Sequence, residues 1–127
     1  MHTAEMNTDE INYLGKKYVP HFVGVFPLNK MPSVLPRVGA NFIVNTDTHN
    51  LPGEHWLAVS YKNGGFIHAF DPFGFFYPLL FKQSLHRYGK PIKYNTTRFQ
   101  DVSEKTCGQY CISWLIIKNS KNCFNSH

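Results

Sequence analysis

Four residues in this chain have the types needed for nucleophilic chemistry: Cys107, His55, Asp71 and Gln100. Cys107 precedes an apolar run containing Ile112, Trp114, Leu115, Ile116 and Ile117. Just before it, Thr106 and Gln109 have the spacing of a capping box, in which each side chain satisfies a backbone donor at a helix start. A helix beginning at Thr106 puts Cys107 at the first helical position. A thiol there meets the unpaired N–H groups of the first turn and the positive end of the helix dipole. Both favour the thiolate, which is the nucleophilic form. Gly108 leaves room beside the sulfur for a substrate backbone.

A base and its orienter come from a predicted hairpin. His55 opens one strand, and Asp71 follows the end of the next. Antiparallel neighbours bring the start of one strand beside the end of its partner. A carboxylate on one imidazole nitrogen fixes the tautomer and leaves the other to exchange a proton. If the last helix docks its N-terminus here, Cys107, His55 and Asp71 make a nucleophile, base and orienter. Gln100 lies seven residues before Cys107, far enough to loop back. Its amide can donate to an oxyanion together with the Cys107 N–H. Each residue also has a plainer reading. Cys107 can be a small residue at a helix start, His55 a core or loop histidine, and Asp71 the cap of the turn at Pro72. What favours catalysis is that four compatible residues fall in compatible places.

The elements that must position these residues are short. Thr8, Asp9 and Glu10 predict a helix through Leu14, with Gly15 as its stop. Tyr18 to Met31 reads as irregular or briefly extended, and Pro32, Pro36 and Gly39 as a turn-rich connection. Asn41 to Asn45 is a predicted strand, followed by a polar loop from Thr46 to Gly53. His55 to Lys62 is the next strand, with Trp56, Ala58 and Ser60 on one face and Leu57, Val59 and Tyr61 on the other. Asn63-Gly64 turns the chain back as Phe66 to Phe70. Tyr77 to Tyr88 has helical periodicity and ends at Gly89. Pro91 to Asn95 and Phe99 to Val102 are short extended pieces, and the last helix runs from Thr106 to about Lys118. The whole chain, 1–127, reads as a single α+β domain with loose tails at 1–7 and 119–127.

Composition narrows the field. The 127 residues fit one core, and no apolar run approaches the ~20 residues of a membrane span. The polar, acidic start is neither a signal nor a transit peptide. Three cysteines at Cys107, Cys111 and Cys123 do not form a disulfide framework, so a reducing compartment is expected. Their spacing, with no close cysteine pair matched by a second pair of ligands, also argues against zinc. The net charge is +5. Between Asp71 and Asp101 there is no acid, but Lys82, Arg87, Lys90, Lys93 and Arg98 all fall there. This is either a polyanion site, such as a nucleic-acid contact, or a solvated surface.

The same residues carry a resemblance to the adenovirus proteinase (adenain) family of cysteine peptidases. That group includes Maverick/Polinton-type and related viral proteases and, more distantly, ubiquitin-like-protein proteases. The matching segments are Phe42-Ile43-Val44-Asn45-Thr46, Gly53-Glu54-His55-Trp56-Leu57-Ala58, Asp71-Pro72-Phe73-Gly74-Phe75, and Gln100 with Cys107-Gly108-Gln109-Tyr110-Cys111. The resemblance covers roughly residues 10 to 118. The resemblance implies a papain-like α+β fold, an antiparallel sheet packed against the helix that carries the nucleophile. It implies His55 as base, Asp71 as orienter, Gln100 as oxyanion donor and Cys107 as nucleophile. It further implies cleavage of viral capsid or core precursor proteins in virion maturation, without metal or organic cofactor. The adenovirus enzyme has Glu where this chain has Asp71, and it continues well past its nucleophile helix, so both a complete small enzyme and a shortened one stay open. It is activated by DNA and by a viral peptide that forms a disulfide with it, and no cysteine lies between Asp71 and Cys107 to serve that link. The expectation is a monomeric cysteine endopeptidase of the virion and the host nucleus or cytoplasm, not secreted. Its substrates are proteins or peptides, and DNA or a peptide is an expected activator. A deconjugating protease for ubiquitin-like modifiers and an inactive basic nucleic-acid-binding domain on the same fold are the alternatives.

Overall fold

A computed structural model describes residues 7–46, 55–62, 64–74, 77–95 and 107–120, and of residue 107 the backbone alone. Its elements are helix α1 (Thr8–Tyr18), strand β1 (Phe22–Pro27), a 3-10 turn (Leu28–Lys30), β2 (Asn41–Asn45), β3 (Trp56–Tyr61), β4 (Ile67–Phe70), helix α2 (Leu79–His86), β5 (Ile92–Tyr94) and helix α3 (Cys107–Lys118). The five strands form one sheet in the order β1-β2-β3-β4-β5.

The sheet is mixed, where the sequence suggested an antiparallel one. The central strands β2, β3 and β4 pair antiparallel, but β1 runs parallel to β2 and β4 parallel to β5. The β4–β5 pairing follows from α2, which carries the chain back to the end where β4 began, as parallel strands require. The segment before Met31, expected to be irregular or briefly extended, contains β1, and the extended piece after Pro91 contains β5.

Both sheet faces are covered, which explains why β3 is buried at every position. Ile43, Trp56, Ala58 and Phe70 pack on one face against Ile11 of α1 and Cys111, Ile112 and Leu115 of α3. Phe42, Val44, Leu57, Val59, Tyr61 and Ile67 pack on the other against Phe81 and Leu85 of α2. The alternation expected for β3 is thus found, with each face meeting a different helix layer. Trp56 is a core residue in contact with the α3 layer.

The boundaries of two helices differ from the sequence reading. Helix α1 is capped by Asn7, whose side chain accepts from the Glu10 N–H while Glu10 accepts from the Asn7 N–H. It runs through Gly15 to Tyr18. Gly15 is a close-approach residue: a Cβ built there would lie 2.3 Å from the Phe22 ring. Helix α2 begins at Leu79, after Pro78, rather than at Tyr77. A residue before proline is pushed out of the helical region. Helix α2 itself ends at His86, short of the expected Tyr88, and the chain leaves it in a turn closed at Gly89, which has φ 74° and donates its N–H to His86 O. The hairpin loop closes by Lys62 N–H donating to Phe66 O, with Gly64 and Gly65 both at positive φ. The Phe99–Val102 piece and Thr106 of the capping box lie outside the described residues.

Candidate active site

The β3–β4 hairpin brings His55 and Asp71 together. His55 Nε2 lies 2.9 Å from Asp71 Oδ1, with the two side chains 2% and 0% exposed. The antiparallel register, with Ala58 opposite Phe70, places the start of β3 against the residues that leave β4. Thr46 fixes the His55 backbone from the neighbouring strand: its N–H and its hydroxyl both donate to His55 O, at 2.9 and 3.1 Å. The His55 ring stacks on Phe73 at a centroid distance of 4.6 Å and an angle of 2°. Imidazole tilt and position are therefore held by a backbone anchor, a carboxylate and an aromatic plate.

Asp71 has two tasks. Its Oδ1 accepts from the Phe73 N–H at 3.0 Å while facing His55. Gly74 N–H donates to Asp71 O at 2.8 Å, closing the turn Asp71-Pro72-Phe73-Gly74, with Gly74 at φ 87°. Capping the turn and orienting the histidine are thus one arrangement rather than alternatives. A buried carboxylate needs such donors, because desolvation without them is costly.

Residues that the sequence did not single out hold Asp71 from behind. Asp71 N–H donates to Asn95 Oδ1 at 2.7 Å, and Asn95 Nδ2 donates to Asp71 O at 3.2 Å. Tyr77 hydroxyl donates to Asn95 O at 3.0 Å and also contacts Asn95 Oδ1. Burial, reinforced by the Asp71 charge, pushes the Tyr77 hydroxyl well above its ordinary pKa, so it remains a donor. Asn95 reaches Asp71 because β5 lies parallel to β4, with Asn95 N–H donating to Ala69 O. Nothing in the local sequence of Asn95 signals this.

Cys107 is the first residue of α3, as the sequence led us to expect. One helical turn later, Cys111 is buried and its thiol donates to Trp56 O at 3.2 Å. That contact sets the beginning of α3 against the beginning of β3, next to His55. Gln100 lies outside the described residues. Of the basic residues, Lys82 and Arg87 are exposed on and just after α2, Lys90 follows in the turn, and Arg98 lies outside the described residues. Lys93 alternates with Ile92 and Tyr94, which pack toward the α2 layer, so its side chain belongs to the opposite, α3 face.

Among the described residues no group of three histidines, cysteines or carboxylates is placed to hold a metal, and no helix is long and apolar enough to cross a membrane. No protein-family model matches the chain, and no curated protein matches it. Among solved structures it is similar to the central domain of the uncharacterized Lpg1148 protein from Legionella pneumophila, with a TM-score of 0.45 and 13% identity, covering 91% of this chain and 77% of that one. A likeness that slight transfers no activity.

Proposed function

We propose that this chain is a cysteine endopeptidase of the adenain-like kind, with a papain-like arrangement of its site, cleaving precursor proteins of a virus or virus-like element. The observation that carries the reading is the buried 2.9 Å contact between His55 and Asp71 beside a helix that starts at Cys107. With Nε2 directed at Asp71, Nδ1 is the nitrogen that takes the Cys107 proton. The sulfur then attacks the scissile carbonyl carbon. The oxyanion accepts hydrogen bonds from the Cys107 N–H and the Gln100 amide. His55 passes its proton to the leaving amine. Water, deprotonated by His55, hydrolyses the thioester and returns the thiol.

The test combines labelling and cleavage. An ordinary thiol of pKa about 8.5 is almost wholly protonated near pH ~6, so iodoacetamide at that pH should select an activated one. Cys107 is expected to be alkylated ahead of Cys111 and Cys123, and Cys107→Ala to abolish cleavage of a precursor-peptide library. Labelling confined to Cys111 or Cys123 removes the assignment. Cleavage confined to folded ubiquitin-like fusions would instead mark a deconjugase. DNA and peptide activators are scored against the rate measured without them.

A further inference from the structure

Away from His55, the fold assembles a second polar cluster from the β3–β4 hairpin, β5 and the end of α3. Register pairing places Ser60 of β3 opposite His68 of β4, and His68 beside Lys93 of β5. All three project from the α3 face, since Trp56, Ala58 and Phe70, at matching alternation, pack against α3. The C-terminal end of α3 closes over this row. Lys62 Nζ donates to Lys118 O at 3.0 Å, which brings the loop after β3 against the helix end. Lys118 Nζ sits over the Trp114 ring at 5.6 Å, and Lys93 Nζ over the Phe66 ring at 4.6 Å.

The charges here are of one sign. The acids among the described residues lie elsewhere, Asp9 and Glu10 in the first turn of α1 and Asp71 against His55. Burial and the charges of Lys118, Lys93 and Lys62 lower the His68 pKa to about 4. Burial and Lys93 also lower that of Lys118. Beneath them, Ser60 is fully buried, and its hydroxyl has no hydrogen-bond partner among the described residues. A buried donor without a partner is costly. Like charges gathered over such a hydroxyl suit a ligand with several acceptor oxygens and more than one negative charge.

We propose that Ser60, His68, Lys93 and Lys118 form a site for a phosphate group, with Lys62 as a fixed neighbouring charge. The phosphate takes hydrogen bonds from the two ammonium groups and the Ser60 hydroxyl, and its negative charge allows His68 to protonate and become a fourth donor. Because His68 faces Lys62, Lys93 and Lys118 together, it reports occupancy directly. The site is independent of the peptidase reading.

The experiment is an NMR titration of the His68 imidazole in the native chain. One series contains inorganic phosphate, one phenyl phosphate, and one sodium chloride at matched ionic strength. Phosphate is expected to raise the His68 pKa by more than about one unit over chloride. An equal response in phosphate and chloride overturns the proposal. A response to phenyl phosphate as large as that to inorganic phosphate assigns the site to terminal monoesters, and a response to inorganic phosphate alone assigns it to the free ion. Ser60→Ala and Lys118→Met, each checked for a native-like spectrum, should weaken phosphate binding by roughly tenfold. Unchanged affinity in both folded variants also overturns it.

Discussion

At the residue scale, the peptidase activity proposed above, together with the shared oxygen of Asp71, makes a sharp prediction. The same Oδ1 faces His55 Nε2 and accepts the Phe73 N–H. Asparagine can present one carbonyl oxygen to both donors, so Asp71→Asn keeps the geometry and loses the charge that steadies an imidazolium. A charged hydrogen bond exceeds a neutral one by about 1–1.5 kcal/mol, so kcat should fall only about tenfold. Asp71→Ala removes the orienter as well, and kcat should fall by ~10³-fold or more. Steady-state kinetics on one peptide substrate decides this, and equal losses in the two variants would contradict a separate orienting role. His55 and Asp71 were legible in the sequence because they flank one hairpin, and antiparallel pairing of adjacent segments is a local matter. Asn95 was not legible, because its place beside Asp71 depends on a parallel crossover through α2 that no short stretch encodes.

At the scale of the element, glycine and proline were found as punctuation but their meaning depended on packing. Gly89 closes the turn that leaves a helix and Gly64 turns a hairpin, close to their reading from the sequence. Gly15 looked like a stop, yet it is the point where α1 lies against Phe22. Pro78 excludes Tyr77 from α2, which frees the tyrosine hydroxyl to hold Asn95. The helical periodicity of Tyr77 was genuine, but a steric rule at the next residue prevailed. Gly15→Ala separates the two meanings. On an exposed helix face alanine would stabilise by up to ~1 kcal/mol. Here its Cβ would meet a ring that belongs to the core, and overpacking costs about 1–3 kcal/mol. The denaturation midpoint is therefore expected to fall, and a rise would show that the contact relaxes freely.

For the molecule as a whole, the α+β class and the β2–β3–β4 core were readable because short apolar runs stand between polar loops and an Asn-Gly turn, each long enough for one strand. The parallel outer pairings were not, since β1 is interrupted at Gly24 and ends in Pro27, β5 has three residues, and a parallel partner is reached only through a long connection. The gathered cations leave a mark on overall stability. His68 protonates near 4 in the folded chain and near 6.5 when unfolded. Between those values the unfolded state holds more protons, so stability is highest above pH ~6.5 and declines as pH falls toward ~4. Solvent screening of the half-buried ring limits the decline to about 1 kcal/mol. Urea unfolding in phosphate-free buffer should show this slope in the native chain and a shallower one in His68→Gln. Identical slopes would detach His68 from it. The two outer strands have one more consequence. Strand β1 carries an irregularity between Phe22 and Gly24 and ends in Pro27, while β5 has three residues with a lysine at its centre. Bulges, proline, brevity and lysine each spoil a strand as a template for a neighbouring chain. Among the described residues, neither border offers a straight run of unpaired amides, which guards a crowded population of these molecules against edge-to-edge aggregation.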